Sequence, residues 1–93
     1  MLEITQATID KVNRDYKPNP DKHYMRITVG PGWGIVSVFL ALEESINEDD
    51  HLEVVEGIPF IMRKAISPIF SWYILDYKDG FMGVGDFLLK VKQ

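Results

Sequence analysis

A chain of 93 residues with 46% hydrophobic and 12% aromatic content has room for one core and the composition of an ordered globular domain. Its formal net charge of −4 argues against nucleic acid, which needs a basic surface to displace counterions. No apolar run reaches the roughly 18–20 residues that span a bilayer, so no membrane segment is expected.

The opening Met1-Leu2-Glu3-Ile4-Thr5 lacks the basic and apolar blocks of a secretory signal, and the chain contains no cysteine. A cytoplasmic location is therefore expected. Thr5 is placed to cap a short helix with Ile9, Val12 and Tyr16 on its inner face and Ala7 and Thr8 at the shoulder. Lys17-Pro18-Asn19-Pro20-Asp21 ends it, because two prolines in four residues cannot continue a helix. Tyr24 to Val29 alternates with the period of a half-buried strand, and Ile35 to Glu43, rich in Val, Ile and Phe, predicts a longer and more buried one. Between them, Gly30-Pro31-Gly32-Trp33-Gly34 predicts a shaped loop.

Asn47 to Asp50 reads as a polar loop. Leu52–Val55 and Ile58–Met62 flank Glu56-Gly57, which has the form of a two-residue hairpin turn. Pro59, with no amide hydrogen, belongs near an edge or a strand start. Ser67-Pro68 opens one helical turn across Ile69, Phe70 and Ser71. Trp72 to Tyr77 predicts a strand, Lys78-Asp79-Gly80 a turn, and Gly85 precedes a last strand, Phe87 to Val91. The sum is a single, mainly β domain over 1–93 with an N-terminal helix and a short helical turn near 67–71. Its expected core includes Ile27, Val29, Val36, Val38, Leu40, Val54, Phe60, Ile74 and Leu88.

The glycine run has no phosphate-binding spacing, and a strand rather than a helix follows it. It serves either as a tight crossing between strands or as a contact surface. In the second case Gly30, Gly32, Trp33 and Gly34 are the candidate binding residues, with Trp33 as a flat anchor for a protein partner. Half of the acidic side chains fall in one run: Glu43, Glu44, Glu48, Asp49, Asp50, Glu53 and Glu56. The run reads as a solvated loop and strand face; a docking surface for a basic partner is the sharper alternative. His23 and His51 sit in polar contexts without a ligand partner at helical spacing, so no metal site and no cofactor is expected. Asp76 and Tyr77, at a strand end before a turn, are candidates for acid–base chemistry if buried; the alternative, and the expectation, is that Asp76 bonds the backbone of the turn that follows it. No Ser–His–Asp order or paired-carboxylate spacing is present, which argues against an enzyme.

Taken in order, these motifs resemble those of the HesB-like family, the A-type carriers of iron–sulfur cluster biogenesis. The resemblance starts at Ile4-Thr5 with Ala7, runs through Arg26-Ile27-Thr28-Val29 into the glycine loop, and continues in Leu40-Ala41-Leu42-Glu43-Glu44. Val54-Val55-Glu56-Gly57-Ile58-Pro59-Phe60 looks like the family's Val-Asp-Gly-Ile-x-Phe stretch. Asp76-Tyr77 with Gly80, Gly83, Gly85 and Phe87 looks like its Asp-Tyr-x-x-Gly-x-x-Gly-x-Gly-Phe stretch, with Asp86 as an extra residue. The resemblance implies a compact β barrel or sandwich, dimers or higher oligomers, and protein partners in cluster assembly.

The family's chemistry rests on three cysteines. Gly32 or Trp33 stands where the first would be, and the chain stops at Lys92-Gln93, before the Cys-Gly-Cys tail that holds the other two. Thiolates are the usual ligands of iron–sulfur clusters, so the carrier mechanism does not transfer. The resemblance then implies a non-enzymatic, divergent or accessory member acting through protein contacts. A protein-interaction module unrelated to metal is the alternative.

Overall fold

The computed structural model describes residues 2–31, 36–79 and 85–92. Thr5, in extended conformation, accepts the Thr8 amide on its hydroxyl and so starts helix α1 (Gln6–Asp15). The helix closes with the Tyr16 N–H on the Val12 carbonyl. The proline segment that follows is held by Asn19, whose side-chain oxygen accepts the amides of Asp21 and Lys22, a local bond that competes with further helix.

The strands are β1 (Glu3–Ile4), β2 (Tyr24–Pro31), β3 (Val36–Glu43), β4 (Asp50–Val55), β5 (Ile58–Arg63), β6 (Tyr73–Asp79) and β7 (Gly85–Val91), with one 3₁₀ turn at Ser67–Ser71. They form a three-stranded sheet in the order β1-β6-β7 and a four-stranded sheet in the order β3-β2-β5-β4. The fold is thus mainly β with two sheets. No closed hydrogen-bonded barrel joins them among the described residues. β2 runs antiparallel to β3 along its whole length, whereas its parallel pairing with β5 covers only Met25↔Phe60 and Arg26↔Ile61.

Glu56 and Gly57 both have positive φ, 51° and 77°, the conformation of a type I′ hairpin turn. In such a hairpin the flanking pair Val55↔Ile58 is hydrogen-bonded, and alternation makes Val54↔Pro59 a non-bonded pair. Pro59 therefore sits where β4 asks it for no donor. It also precedes the first β2–β5 pair, which is how a proline fits an interior strand.

The core gathers Leu2 beneath the sheets, Ile9 and Val12 of α1, Met25 and Ile27 of β2, Val38 of β3, Ile58, Phe60 and Met62 of β5, and Phe70 and Leu75. Of the expected core, Ile27, Val38 and Phe60 are buried, and Val29 and Leu40 pack half-buried against it. Val54 does not belong: it is 62% exposed, and Val55 points inward instead. Ile74 and Leu88 are likewise on the wrong side, since Leu75 and Leu89 face the core from their strands. These are one-residue phase errors, which period-two alternation always leaves open. The side chain of Val36 lies outside the described residues.

β3 is not the more buried strand. It is an edge, and Phe39 is 61% exposed. Thr8, placed at the shoulder of α1, is wholly buried, its hydroxyl donating to the Leu75 carbonyl. Lys78 and Asp79 are not a turn but continue β6, opposite Asp86 and Gly85; Gly80 lies outside the described residues.

Candidate functional site

Of the loop residues singled out in the sequence, Gly32, Trp33 and Gly34 lie outside the described residues. Gly30 does not start a loop. It is an ordinary member of β2, opposite Ser37, and Pro31 follows it opposite Val36. Its φ is not positive, and a Cβ built on it meets nothing within 4 Å. Glycine is therefore not required at position 30 by backbone strain or by close approach.

A polar centre missed in the sequence lies at the far end of the same strand. Arg26 stands between Met25 and Ile27, which point inward, so its guanidinium emerges on the outer face of the four-stranded sheet. Nε donates to Glu43 Oε1 at 2.7 Å, and the two terminal nitrogens donate to Asp50 Oδ1 and Oδ2 at 2.8 and 2.5 Å. Asp50 Oδ2 also accepts the Asn47 amide at 2.9 Å. The Arg26 and Asp50 side chains are only 13% and 1% exposed. The bidentate bonds from Arg26 hold the Asp50 carboxyl below the usual carboxylate range; burial opposes this and the Asn47 amide adds to it. In return the guanidinium is held charged above its ordinary value, chiefly by Asp50 and then by Glu43.

Asp50 is thus a buried counter-ion rather than part of a solvated face, and Glu43, partly exposed, pairs with the same arginine from the rim. The available signal was an arginine in an alternating apolar strand, which requires an acid from a neighbouring strand. Beside this centre, where β2 parts from β5, lies a cleft of about 470 Å³ lined by Arg26, Glu43, Asn47, Arg63 and Ile66 among others.

His51 Nε2 lies 3.0 Å from Glu53 Oε1, and Glu53 Oε2 accepts the Leu2 amide at 2.7 Å. Burial alone raises the Glu53 pKa, but the bonds from His51 and Leu2 outweigh it and leave the carboxyl below its ordinary range. His23 is exposed and stands edge-on to the Tyr24 ring. Among the described residues no three His, Asp or Glu side chains converge into a metal-binding group.

Asp76 does not serve a turn. It accepts the Thr5 hydroxyl at 2.7 Å and the Tyr77 amide at 2.8 Å, tying the helix cap to β6. These bonds, the Thr5 one first, hold its carboxyl below the usual range against the effect of burial. Tyr77 is buried against Phe87 and lies 5.2 Å beneath the Lys11 ammonium. Both residues are engaged in structural contacts, Asp76 at the helix cap and Tyr77 in the core.

Compared with known proteins, the chain matches no protein-family model and no curated protein. Among solved structures it shares the fold of IscA crystallised with the [2Fe-2S] cluster, with a TM-score of 0.75 and 23% identity over 98% of this chain and 85% of that one. It also shares the fold of Escherichia coli SufA, a protein involved in biosynthesis of iron–sulfur clusters. There the TM-score is 0.73 with 17% identity, over 97% of this chain and 84% of the other. The resemblance read from the motif order and the three-dimensional likeness therefore point to the same fold.

Donor chemistry separates this chain from a cluster-bearing protein. These 93 residues hold no cysteine, and among the described residues the more buried carboxylates, Asp50, Glu53 and Asp76, are committed to arginine, histidine, threonine and backbone amides. Soft iron–sulfur clusters call for thiolates, with histidine in place of two of them in some sites. The residues present do not fit that demand.

Proposed function

We propose that the protein is a divergent HesB-like member in iron–sulfur cluster or iron handling, non-enzymatic, which acts through protein contacts and contributes no cysteine ligand from these 93 residues. The observation that carries this reading is a fold shared with IscA and SufA over nearly the whole chain, combined with a donor set that contains no thiolate. A scaffold retained without its ligands keeps surfaces, and surfaces are what protein contacts use.

In this reading the segment Gly30, Gly32, Trp33, Gly34 is a contact surface for a protein partner, the cellular site is the cytoplasm, and self-association into a homodimer is a property to be measured. Replacing Trp33 with alanine then weakens partner binding or self-association by about 2 kcal/mol, the hot-spot scale, while circular dichroism and the melting midpoint stay close to wild type.

Anaerobic reconstitution with iron and sulfide, read by visible absorption and acid-labile sulfide, tests the ligand argument. The expected result is no stoichiometric cluster in the absence of added thiol; a stoichiometric cluster on the monomer or homodimer overturns it. Analytical ultracentrifugation with a cluster-loaded IscA-type carrier then tests the role. A complex is expected. Its absence with both loaded and empty carrier favours an interaction module unrelated to metal.

A further inference from the structure

Among the described residues β4 is the outermost strand of the four-stranded sheet, bonded to β5 alone. The type I′ turn fixes which of its backbone groups face outward. Val55, Glu53 and His51 bond to β5, so the N–H and C=O of Leu52 and Val54 point away from the sheet. Among the described residues no backbone group bonds to them. Both side chains are open as well, 43% and 62% exposed. Beside this edge runs a groove of about 530 Å³ whose wall is Leu2, Val54 and Val55, with Glu53 and Glu56 at its sides.

We infer that the outer edge of β4 is a strand-addition site for an extended, basic segment of a partner protein. This deepens the protein-contact reading by naming the surface and the partner's chemistry. An exposed edge with free donors and acceptors is a template for another strand, and the charge around it decides which strand. Asp49, Glu53 and Glu56 lie along β4 or at its ends in a chain of net charge −4. Two copies meeting edge to edge would bring acid against acid, which disfavours self-pairing. A segment alternating apolar and basic residues matches both needs. Its backbone pairs with Leu52 and Val54, its apolar side chains lie on one face against the exposed Leu52 and Val54 side chains, and its cations lie on the other face beside Glu53, with Glu56 at the turn end. The same carboxylates guard the edge against copies of itself.

The test is an amide NMR titration of the whole chain with an eight-residue peptide of alternating valine and lysine, and with its valine–glutamate counterpart. Saturable shifts centred on the Leu52 and Val54 amides are expected with the lysine peptide, and little or none with the glutamate peptide. Glu56→Lys, on an exposed turn, is expected to weaken the lysine peptide about fivefold. Val54→Pro removes an outward N–H that the β4–β5 ladder does not use, and is expected to weaken it about tenfold. Equal binding of both peptides, or shifts lying elsewhere on the protein, would overturn the assignment. So would concentration-dependent broadening at Leu52 and Val54 in the peptide-free protein, which would give the edge to a second copy. No iron or sulfide enters the experiment, so its failure leaves the cluster-handling reading standing, and the reverse also holds.

Discussion

At its start β4 places Asp50 beneath the sheet surface, where a bidentate arginine and a backbone amide occupy both carboxylate oxygens. Six residues later Glu56 stands in solvent at the tip of the hairpin, beside an edge whose outward backbone groups bond to no backbone group among the described residues. The two residues belong to one acidic run and would be indistinguishable by composition. What separates them is the neighbouring strand. Opposite the Asp50 end of the hairpin is Arg63, with Arg26 one strand further in. Opposite the other end are Pro59 and Ile58, which offer no counter-charge. An acid near arginine becomes a structural counter-ion, and an acid near an apolar edge remains available for recognition.

Both ends hang on a shared platform, and breaking it produces the largest effect. Phe60, fully buried, lies opposite Glu53 at the middle of the hairpin and pairs with Met25 on its other side. Phe60→Ala is expected to cost about 3–5 kcal/mol, enough to unfold a domain of this size near room temperature. Chemical denaturation checks it. Retention of a wild-type midpoint would mean that the two ends are not held by one core.

Asp50→Asn removes the charge and keeps the shape, and should cost about 2–3 kcal/mol, because it leaves a desolvated guanidinium short of its partner. Pairing the change with Arg26→Met is expected to recover part of that loss. The pH dependence follows from the direction of the shift. The folded Asp50 carboxyl titrates below its ordinary value of 3.8. Its stabilisation is therefore complete above that value and is lost as pH falls through the lower, folded one. Acid-unfolding curves of the Asp50→Asn protein should accordingly be flatter than wild type below about pH 4.

How much of this contrast was legible in the sequence depends on whether it rests on local or on cross-strand information. The Glu56-Gly57 turn, the Thr5 cap and the Ser67-Pro68 helical turn were legible, since each is fixed by residues within one turn of chain. The inward face of β2 was legible at Ile27, because charge and polarity at Arg26 and Thr28 set its phase. β4, β6 and β7 carry apolar side chains on both faces, as Val54-Val55, Ile74-Leu75 and Leu88-Leu89 show, and there the alternation does not choose a side. The Arg26–Asp50 bond spans 24 residues and follows from strand order, which no short window contains. Of the candidate loop, Gly30 and Pro31 fall among the described residues, and both proved to be strand.

The turn at the open end gives a smaller effect. Gly57, at φ +77° with room for a Cβ, is strained only by its backbone conformation. Gly57→Ala should thus cost about 1–2 kcal/mol, without the acid sensitivity that marks the Asp50 end. A larger loss would show that the hairpin tip contributes packing that the neighbouring atoms do not reveal.

The smallest expected effect sharpens the comparison most, because it concerns neighbours in sequence. Asp49 precedes Asp50, has the same charge, and lies 3.9 Å from the Arg63 guanidinium, but both of those side chains are mostly exposed. Water and salt screen such a pair, and holding two free side chains together offsets most of the attraction. Asp49→Asn is therefore expected to change stability by no more than about 0.5 kcal/mol, with the small change vanishing at high salt. The Asp50→Asn loss should persist there, since its ion pair is shielded from solvent. Measuring both variants at low and high ionic strength separates exposure from charge as the cause: equal losses would mean that burial of the Arg26 centre does not set the value of its acid.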